Sequence, residues 1–532
     1  MKSVSQYKQH ILDGLVQLGL GQPALSAYAA LTQSRDLRTV CHVEQEVISA
    51  YSAGRHNESI IIPIISTNPV EQYVLASALK IRGYNPIMFT NMGSLPIETT
   101  FNYWKEQAQF AVKNYNLEKF EAEFKIPVRT IDEILTSNYN CHSVNKITAG
   151  DEYYYDDMDI SNYAVASARR YLQRYRLDSS SAYHNNVYRD LLKAGIMLAD
   201  VTERLIQRHE VIAGILTETS YVHGGVVAEI LRKYDKSAYS YGRGRITNHV
   251  SLGLGRNNHL GNDFDPLDVV KSVREYNISN ADRTLLRDRL PQTSNESMRY
   301  SSYVPEGDTG LPQSERFTVG VFSHLPWDGA LAPSEALFPN FYEWLGCTVE
   351  TLTNYPEMDV YVKAHPAESK RGTKEYVGDW LADNYPNLPS NIRFIPPDSR
   401  ISFYRMISEL DAGIVYASTV GAEMAYNNIP VLIGGYPPYI DYGIGFAPSN
   451  KIEFVNLLER LPELVVTPQM QARCERFLYH LFVNKQMSFP ISNLSTGESM
   501  KINYELLMSK DITKIIDSVV SGETVQRFNY SS

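Results

Sequence analysis

Cysteine is scarce: four in 532 residues, Cys41, Cys141, Cys347 and Cys474, far apart and in no C-x-x-C pair. That spacing excludes a disulfide framework and a zinc ribbon and fits a reducing compartment. Long hydrophobic runs are missing as well. No uninterrupted apolar stretch reaches the roughly 18 residues that a spanning helix needs. The opening "MKSVSQYKQHILDGLVQLGLG" has no uncharged apolar core and no small-residue cleavage site, so no secretion signal is expected. A cytoplasmic chain is expected, at most peripheral at the inner face of a membrane. Positive charge is short too, with 50 Lys and Arg against 60 Asp and Glu and a net charge of −10. That balance argues against nucleic acid as a partner, because phosphate backbones need a positive footprint. Walker, H-E-x-x-H and G-x-S-x-G motifs are absent. Gly19, Gly21 and Ala24 spell a loose G-x-G-x-x-A, but no strand precedes them and Pro23 interrupts the pattern, which is not a dinucleotide fingerprint.

What is abundant is tyrosine, 37 residues in all, often in polar stretches such as "GDEYYYDDMDISNY". Such surfaces suit ligands with apolar ring faces edged by hydroxyls, and they suit protein interfaces equally well. The length calls for two domains. Residues 1–57 read as a mostly helical preface. From residue 58 a buried strand "SIIIPIIS", a helical "NPVEQYVLASALKIRG" and a strand "YNPIMFT" form a βαβ unit, hence a parallel sheet. The pattern continues to residue 245, around a polar insertion near 137–180. Residues 246–316 are rich in Asn, Ser, Arg and Asp and read as a connecting region. From 317 to 490 strands and helices alternate again, from "FTVGVFS" through "DVYVKAH" and "AGIVYAS" to "PVLIGG". Residues 491–532 form a C-terminal tail. The fold class expected is α/β, two doubly wound domains facing a cleft, with chemistry in the loops at the carboxyl ends of the strands.

Several side chains fall at those ends. Lys363 and His365 stand two apart on "VYVKAHP" and therefore share one face, and Pro366 stops the ladder. An ammonium and an imidazole together suit a phosphate or a departing anionic oxygen. A surface lysine beside a turn histidine is the plainer alternative. In "YASTVGAEMAYNN", Ser418 and Thr419 precede a helix whose first N–H groups could receive an anion. Glu423 follows one turn later, placed for vicinal ribose hydroxyls or simply for the positive helix end.

Together these stretches resemble a known family. "VYVKAHP" followed by "NIRFIPPDSRISFYRMISELDAGIVYASTVGAEMAYNNIPVLIGG" looks like the capsule polysaccharide biosynthesis glycosyltransferases, the group containing the Kdo transferases. It is also similar in logic to bacterial sialyltransferases with His-Pro and Ser-Thr motifs. The resemblance covers roughly residues 317–490, including "FLYHLFVNKQMSFPIS"; the N-terminal half matches only in layout. It implies a GT-B fold of two Rossmann-type domains, the second binding a nucleotide-sugar donor and the first a glycan or lipid-linked glycan acceptor. By the same resemblance Lys363, His365, Ser418 and Thr419 would hold the donor phosphate and Glu423 the ribose, with no metal and no other cofactor. No acidic catalytic motif of the family is matched in the N-terminal half.

Further candidates come from strand ends. In "FSHLPWDGA", His324, Trp327 and Asp328 would lie on the cleft side, Asp328 orienting hydroxyls and Trp327 stacking on a sugar or base. In "GILTETSYVHGGVVAE", Glu218 or His223 could act as the base that takes the acceptor proton, with Tyr221 beside them and Asp328 next in line. "ISTNPV" is a candidate acceptor loop. The acidic "DDMD" (Asp156 to Asp159) looks like a transferase metal site but lies in polar sequence and not at a strand end, so metal binding is not expected there. The rival enzyme readings are a sugar-nucleotide 2-epimerase or a transferase using CDP-polyol donors. The rival outside enzymes is a catalytically silent glycan-binding or assembly subunit.

Overall fold

The computed structural model describes residues 41–51, 56–64, 69–90, 116–135, 144, 146–255, 261, 263–290, 309–328, 337–369, 372–491 and 500–530. The loose G-x-G-x-x-A, most of the preface, Cys141 and the centre of the "ISTNPV" loop lie outside the described residues. The short strand β1 (Cys41–Val43) pairs in parallel with a C-terminal strand (Met500–Ile502), so this part of the preface is extended rather than helical.

The first main sheet is built on β2 (Glu58–Ile64), β3 (Asn85–Thr90), β4 (Val128–Thr130), β5 (Glu210–Thr217) and β6 (Ser237–Arg243). These run parallel in the order β4-β3-β2-β5-β6, and β7 (His249–Gly253) extends the sheet antiparallel. The second sheet is wholly parallel. Its strands are β8 (Phe317–Phe322), β9 (Met358–Lys363), β10 (Ile392–Ile395), β11 (Ala412–Val415) and β12 (Val431–Ile433), in the order β10-β9-β8-β11-β12. In both sheets the strand order thus reverses between the first and fourth strands, which is where doubly wound sheets open a crevice. Residues 249–253, assigned from composition to a connecting region, are a strand of the first sheet.

The strands are apolar because both faces are covered. On one face of the first sheet lie α2 (Ile160–Leu172), α3 (Ala182–Arg208) and α4 (Val222–Lys233); α1 (Val70–Ile81) covers the other. α3 buries Val187, Leu191, Leu198, Val201 and Leu205 along one stripe, the spacing of an amphipathic helix. α2 falls inside the stretch read as a polar insertion, yet it buries Ile160, Ala164 and Ala168 against α3. The start of α4 is pressed onto the end of β5. A Cβ at Gly224 would stand 2.3 Å from the Thr217 carbonyl oxygen, and one at Gly225 2.2 Å from the Tyr163 ring. The glycine pair therefore sets where α4 begins.

In the second domain α5 (Leu267–Glu275), α6 (Asn280–Arg289), α9 (Val420–Tyr426) and α11 (Pro468–Tyr479) pack on one face. On the other are α7 (Phe341–Leu352), α8 (Val377–Asn384) and α10 (Lys451–Glu459), around the fully buried Trp344. After α11 a π-helical turn, His480–Asn484, leads the chain back. There β13 (Met487–Ser488) joins the edge of the first sheet, β14 (Met500–Ile502) meets β1, and α12 (Lys510–Ser521) packs on α1. At this crossing Lys485 Nζ meets Asp265 Oδ1 at 2.7 Å, both side chains fully buried. Tyr442 donates to Asp265 at 2.9 Å, and His480 Nε2 lies 3.3 Å away. Burial works against the Asp265 charge, but Lys485 and then His480 outweigh it and hold the carboxyl below its usual range.

Candidate functional site: an anion cavity at the switch point

The carboxyl edge of the second sheet holds a small cavity of about 50 Å³. A cavity of roughly 10–15 Å³ holds one water, so this one has room for a small anionic group. Anything larger must extend out of it. Its lining comes from four strand ends: Phe322 and Ser323 after β8, Lys363 to Pro366 after β9, the segment from Pro397 to Tyr404 after β10, and Ser418 after β11.

Lys363 is the last residue of β9 and only 7% exposed. Among the described residues no carboxylate or hydrogen-bond acceptor meets its ammonium group, and burial pushes its pKa down to about 8. A buried cation without a counter-charge is costly. The cavity is thus a site that an anion would complete.

His365 is half-buried on the same edge. The Ala367 N–H donates to its Nδ1 at 3.1 Å, which places the proton of the neutral ring on Nε2 and makes that atom the donor. The turn is held by Ser323, whose Oγ accepts the His365 N–H at 2.9 Å. Ser418 contributes its hydroxyl, which accepts from the Val420 N–H at 3.4 Å, while its carbonyl accepts from Tyr439 at 2.9 Å. The structure therefore brings Lys363, His365 and Ser418 together. Thr419 and Glu423 are not in the lining. Thr419 makes no side-chain cap, and α9 has only seven residues, so its dipole adds little. Glu423 is half-buried on α9, near Tyr439 and Cys474.

The remaining candidates fall elsewhere. Trp327 is 4% exposed, packs with Leu325 and Ala367, and donates from Nε1 to Thr373 at 3.0 Å. The stacking role expected for it is corrected: its ring is core. His324 Nε2 lies 2.7 Å from the Asp328 carbonyl oxygen and shapes the same turn. Asp328 accepts from Tyr221 and pairs with Arg170 at 3.2 Å, and Arg170 also meets Glu218 at 2.8 Å. The Arg170 guanidinium stacks 4.5 Å over the Tyr221 ring. Tyr221 is only 6% exposed, and burial and then Asp328 push its hydroxyl well up, so the ligand contact expected of it is replaced by a structural one. Glu218 sits at φ +53°, a left-handed conformation that a non-glycine residue adopts only when its surroundings hold it there. His223 is half-buried in the first turn of α4. Asp156 pairs with Lys233 at 2.7 Å and Asp159 caps α2, so two of the three acids of "DDMD" have structural partners. Among the described residues no group of three His, Cys, Asp or Glu could hold a metal ion, and no helix is long and apolar enough to cross a membrane.

The Arg170 cluster joins the two domains, because Arg170, Glu218 and Tyr221 belong to the first and Asp328 to the second. A second joint lies nearby, where Lys374 N–H donates to the Gln173 carbonyl at 2.8 Å and Glu375 accepts the Tyr175 and Arg176 N–H groups. The carboxyl edges of the two sheets therefore face one another.

No family model matches the chain, and no curated protein matches it. Solved structures do. The beta Kdo 2,7 transferase KpsC of Thermosulfurimonas dismutans is 13% identical over 56% of this chain and 86% of its own, with a TM-score of 0.34. A UDP-GlcNAc 2-epimerase of Methanocaldococcus jannaschii, in complex with UDP-GlcNAc and UDP, is 12% identical over 79% of this chain and 98% of its own, at 0.29. Sucrose-phosphate synthase of Thermosynechococcus elongatus is 13% identical over 80% and 95%, at 0.32. At these scores the likeness fixes neither activity nor substrate, and the site is read from its own geometry.

Proposed function

We propose that the chain is a glycosyltransferase of GT-B type. Lys363, Nε2–H of His365 and the Ser418 hydroxyl receive the phosphate of a nucleotide-sugar, and the sugar passes to a glycan acceptor held by the first domain. One observation carries this reading: a buried ammonium group that meets no counter-charge among the described residues, at the carboxyl edge of a parallel sheet. In transfer, the bond between anomeric carbon and phosphate oxygen breaks as the acceptor oxygen bonds to that carbon. The charge left on the phosphate is met by Lys363 and by the donor on His365. The acceptor proton goes to a base on the first-domain side, for which Glu218 and His223 are candidates; the Arg170 ion pair already engages Glu218. Ile401 and Tyr404 of the lining offer apolar surface to the nucleoside.

The test is a thermal-shift screen with CMP, UMP, UDP, GDP and ADP. A ligand that binds only the native state must raise its melting temperature. At least one nucleotide should do so for the wild type and not for Lys363→Met. No shift with any of the five, or equal shifts in both proteins, would refute the assignment.

A further inference from the structure

Apart from the Lys363 cavity, helices α7, α8 and α10 leave an open groove of about 770 Å³, within the range of about 300–1,000 Å³ common for small-molecule sites. The two share no lining residue. The walls of the groove are aromatic. The Tyr342 and Trp380 rings lie 5.2 Å apart, Tyr385 stands edge-on to Trp380 at 5.9 Å, and Tyr175 arrives from the first domain edge-on to Tyr342 at 5.4 Å. The floor is kept low by Gly346, where a Cβ would approach the Tyr385 hydroxyl at 3.3 Å and Trp380 at 3.6 Å. Glu350 and Asn384 are exposed along the rim.

A further observation points to a ligand. Tyr342 is only 6% exposed, and among the described residues its buried hydroxyl has no hydrogen-bond partner, a state that native structures rarely leave unrelieved. The charged residues of the lining balance, Arg176 and Lys451 against Glu343 and Glu350, which disfavours a strongly charged occupant. No strand contributes to the lining, so an extended peptide would find no strand edge to pair with.

We propose that this groove binds a neutral oligosaccharide, a sugar face lying on the half-buried Trp380 ring and hydroxyls bonding to Glu350, Asn384 and the Tyr342 oxygen. Apolar ring faces meet aromatic rings while the equatorial hydroxyls reach polar groups at the edges. Because Tyr175 and Arg176 come from the first domain, the groove is complete only while the domains are docked.

The test is calorimetric titration of the full chain with maltohexaose, cellohexaose and chitohexaose. At least one should bind and should protect Cys347, half-buried in the lining, from alkylation by iodoacetamide, read by peptide mass spectrometry. Trp380→Ala should weaken that binding about tenfold or more. Since a half-buried tryptophan also supports the fold, Glu350→Gln on the exposed rim is the second variant, expected to weaken binding severalfold at an unchanged melting temperature. The titration is repeated on Lys363→Met, so a failed nucleotide reading and a failed groove reading give different results. Binding of none of the three, binding that survives both groove variants, or binding without protection of Cys347 overturns the proposal. So does self-association that Trp380→Ala abolishes, which would make the groove an interface between copies.

Discussion

Replacing Lys363 by Met should make the protein more stable and leave it unable to bind nucleotide. The native ammonium is held at a pKa of about 8 instead of the ordinary 10.5, and burial is the cause. At about 1.4 kcal/mol per pH unit, the charge costs the fold about 3 kcal/mol. The sign follows from linkage. Below about pH 8 the lysine is charged in both native and unfolded chains, and the whole cost is present. Between about 8 and 10.5 the unfolded chain binds more protons, so stability rises with pH and the cost fades. Lys363→Met keeps the aliphatic stem and removes the charge. Its gain over wild type, up to about 3 kcal/mol, should be full at pH 7 and shrink as the pH approaches 10. For domains of this size each kcal/mol moves the melting temperature by about 2–4 °C, so the gain at pH 7 is readable by calorimetry. A Lys363→Met protein that melts below wild type at pH 7, or gains the same amount at pH 7 and 10, would refute the reasoning.

Glu368 is fully buried, and burial pushes its pKa up to about 8, against a smaller opposing pull from the Val377 N–H. Its folded pKa is raised, so its contribution to stability is greatest below about pH 4.5 and is lost as the pH rises through 8. Glu368→Gln should therefore melt higher than wild type at pH 8.5, by a margin that disappears at pH 5. Arg170→Met removes the ion pairs to Glu218 and Asp328 and should increase hydrogen exchange at both ends of that joint; unchanged exchange would deny that Arg170 joins the domains. Lys485→Met leaves the buried Asp265 carboxylate without its cation and should cost about 3–5 kcal/mol, largely recovered in the double variant with Asp265→Asn, as denaturant titration would show.

Most strands of the two sheets were legible as short, largely apolar runs between turn residues, whereas β4, β6 and β7 (VRT, SAYSYGR and HVSLG) are not such runs and were not read. The same simplicity placed the site. Alternation put Lys363 and His365 on one face, and strand ends gather at the switch point of any doubly wound sheet. What period and position do not reveal is where a side chain beyond the strand end turns. Trp327 and Asp328 are adjacent, yet one is core and the other joins the domains. Glu423 stands four residues after Thr419, but α9 carries it away from the cavity lining. Arg170 was missed because it lies in a stretch read as an insertion; Ile160, Tyr163, Ala164 and Ala168, at positions i, i+3, i+4 and i+8, were the available sign of a helix. Ser323 and Tyr404 carry no motif. The aromatic groove could not be read at all, since Tyr175, Tyr342 and Trp380 meet only through packing between distant helices.

The central claim, that Lys363 awaits an anionic phosphate, is most directly tested at the lysine itself. Reductive ¹³C-methylation followed by NMR titration reports the pKa of each lysine, and Lys363 is assigned by its loss in Lys363→Met. A resonance titrating near 8 should move to well above 9 when a nucleotide from the thermal-shift screen is added, because the phosphate supplies the missing counter-charge. A Lys363 that titrates near 10.5 in the free protein, or whose titration is unmoved by saturating nucleotide, would contradict the account.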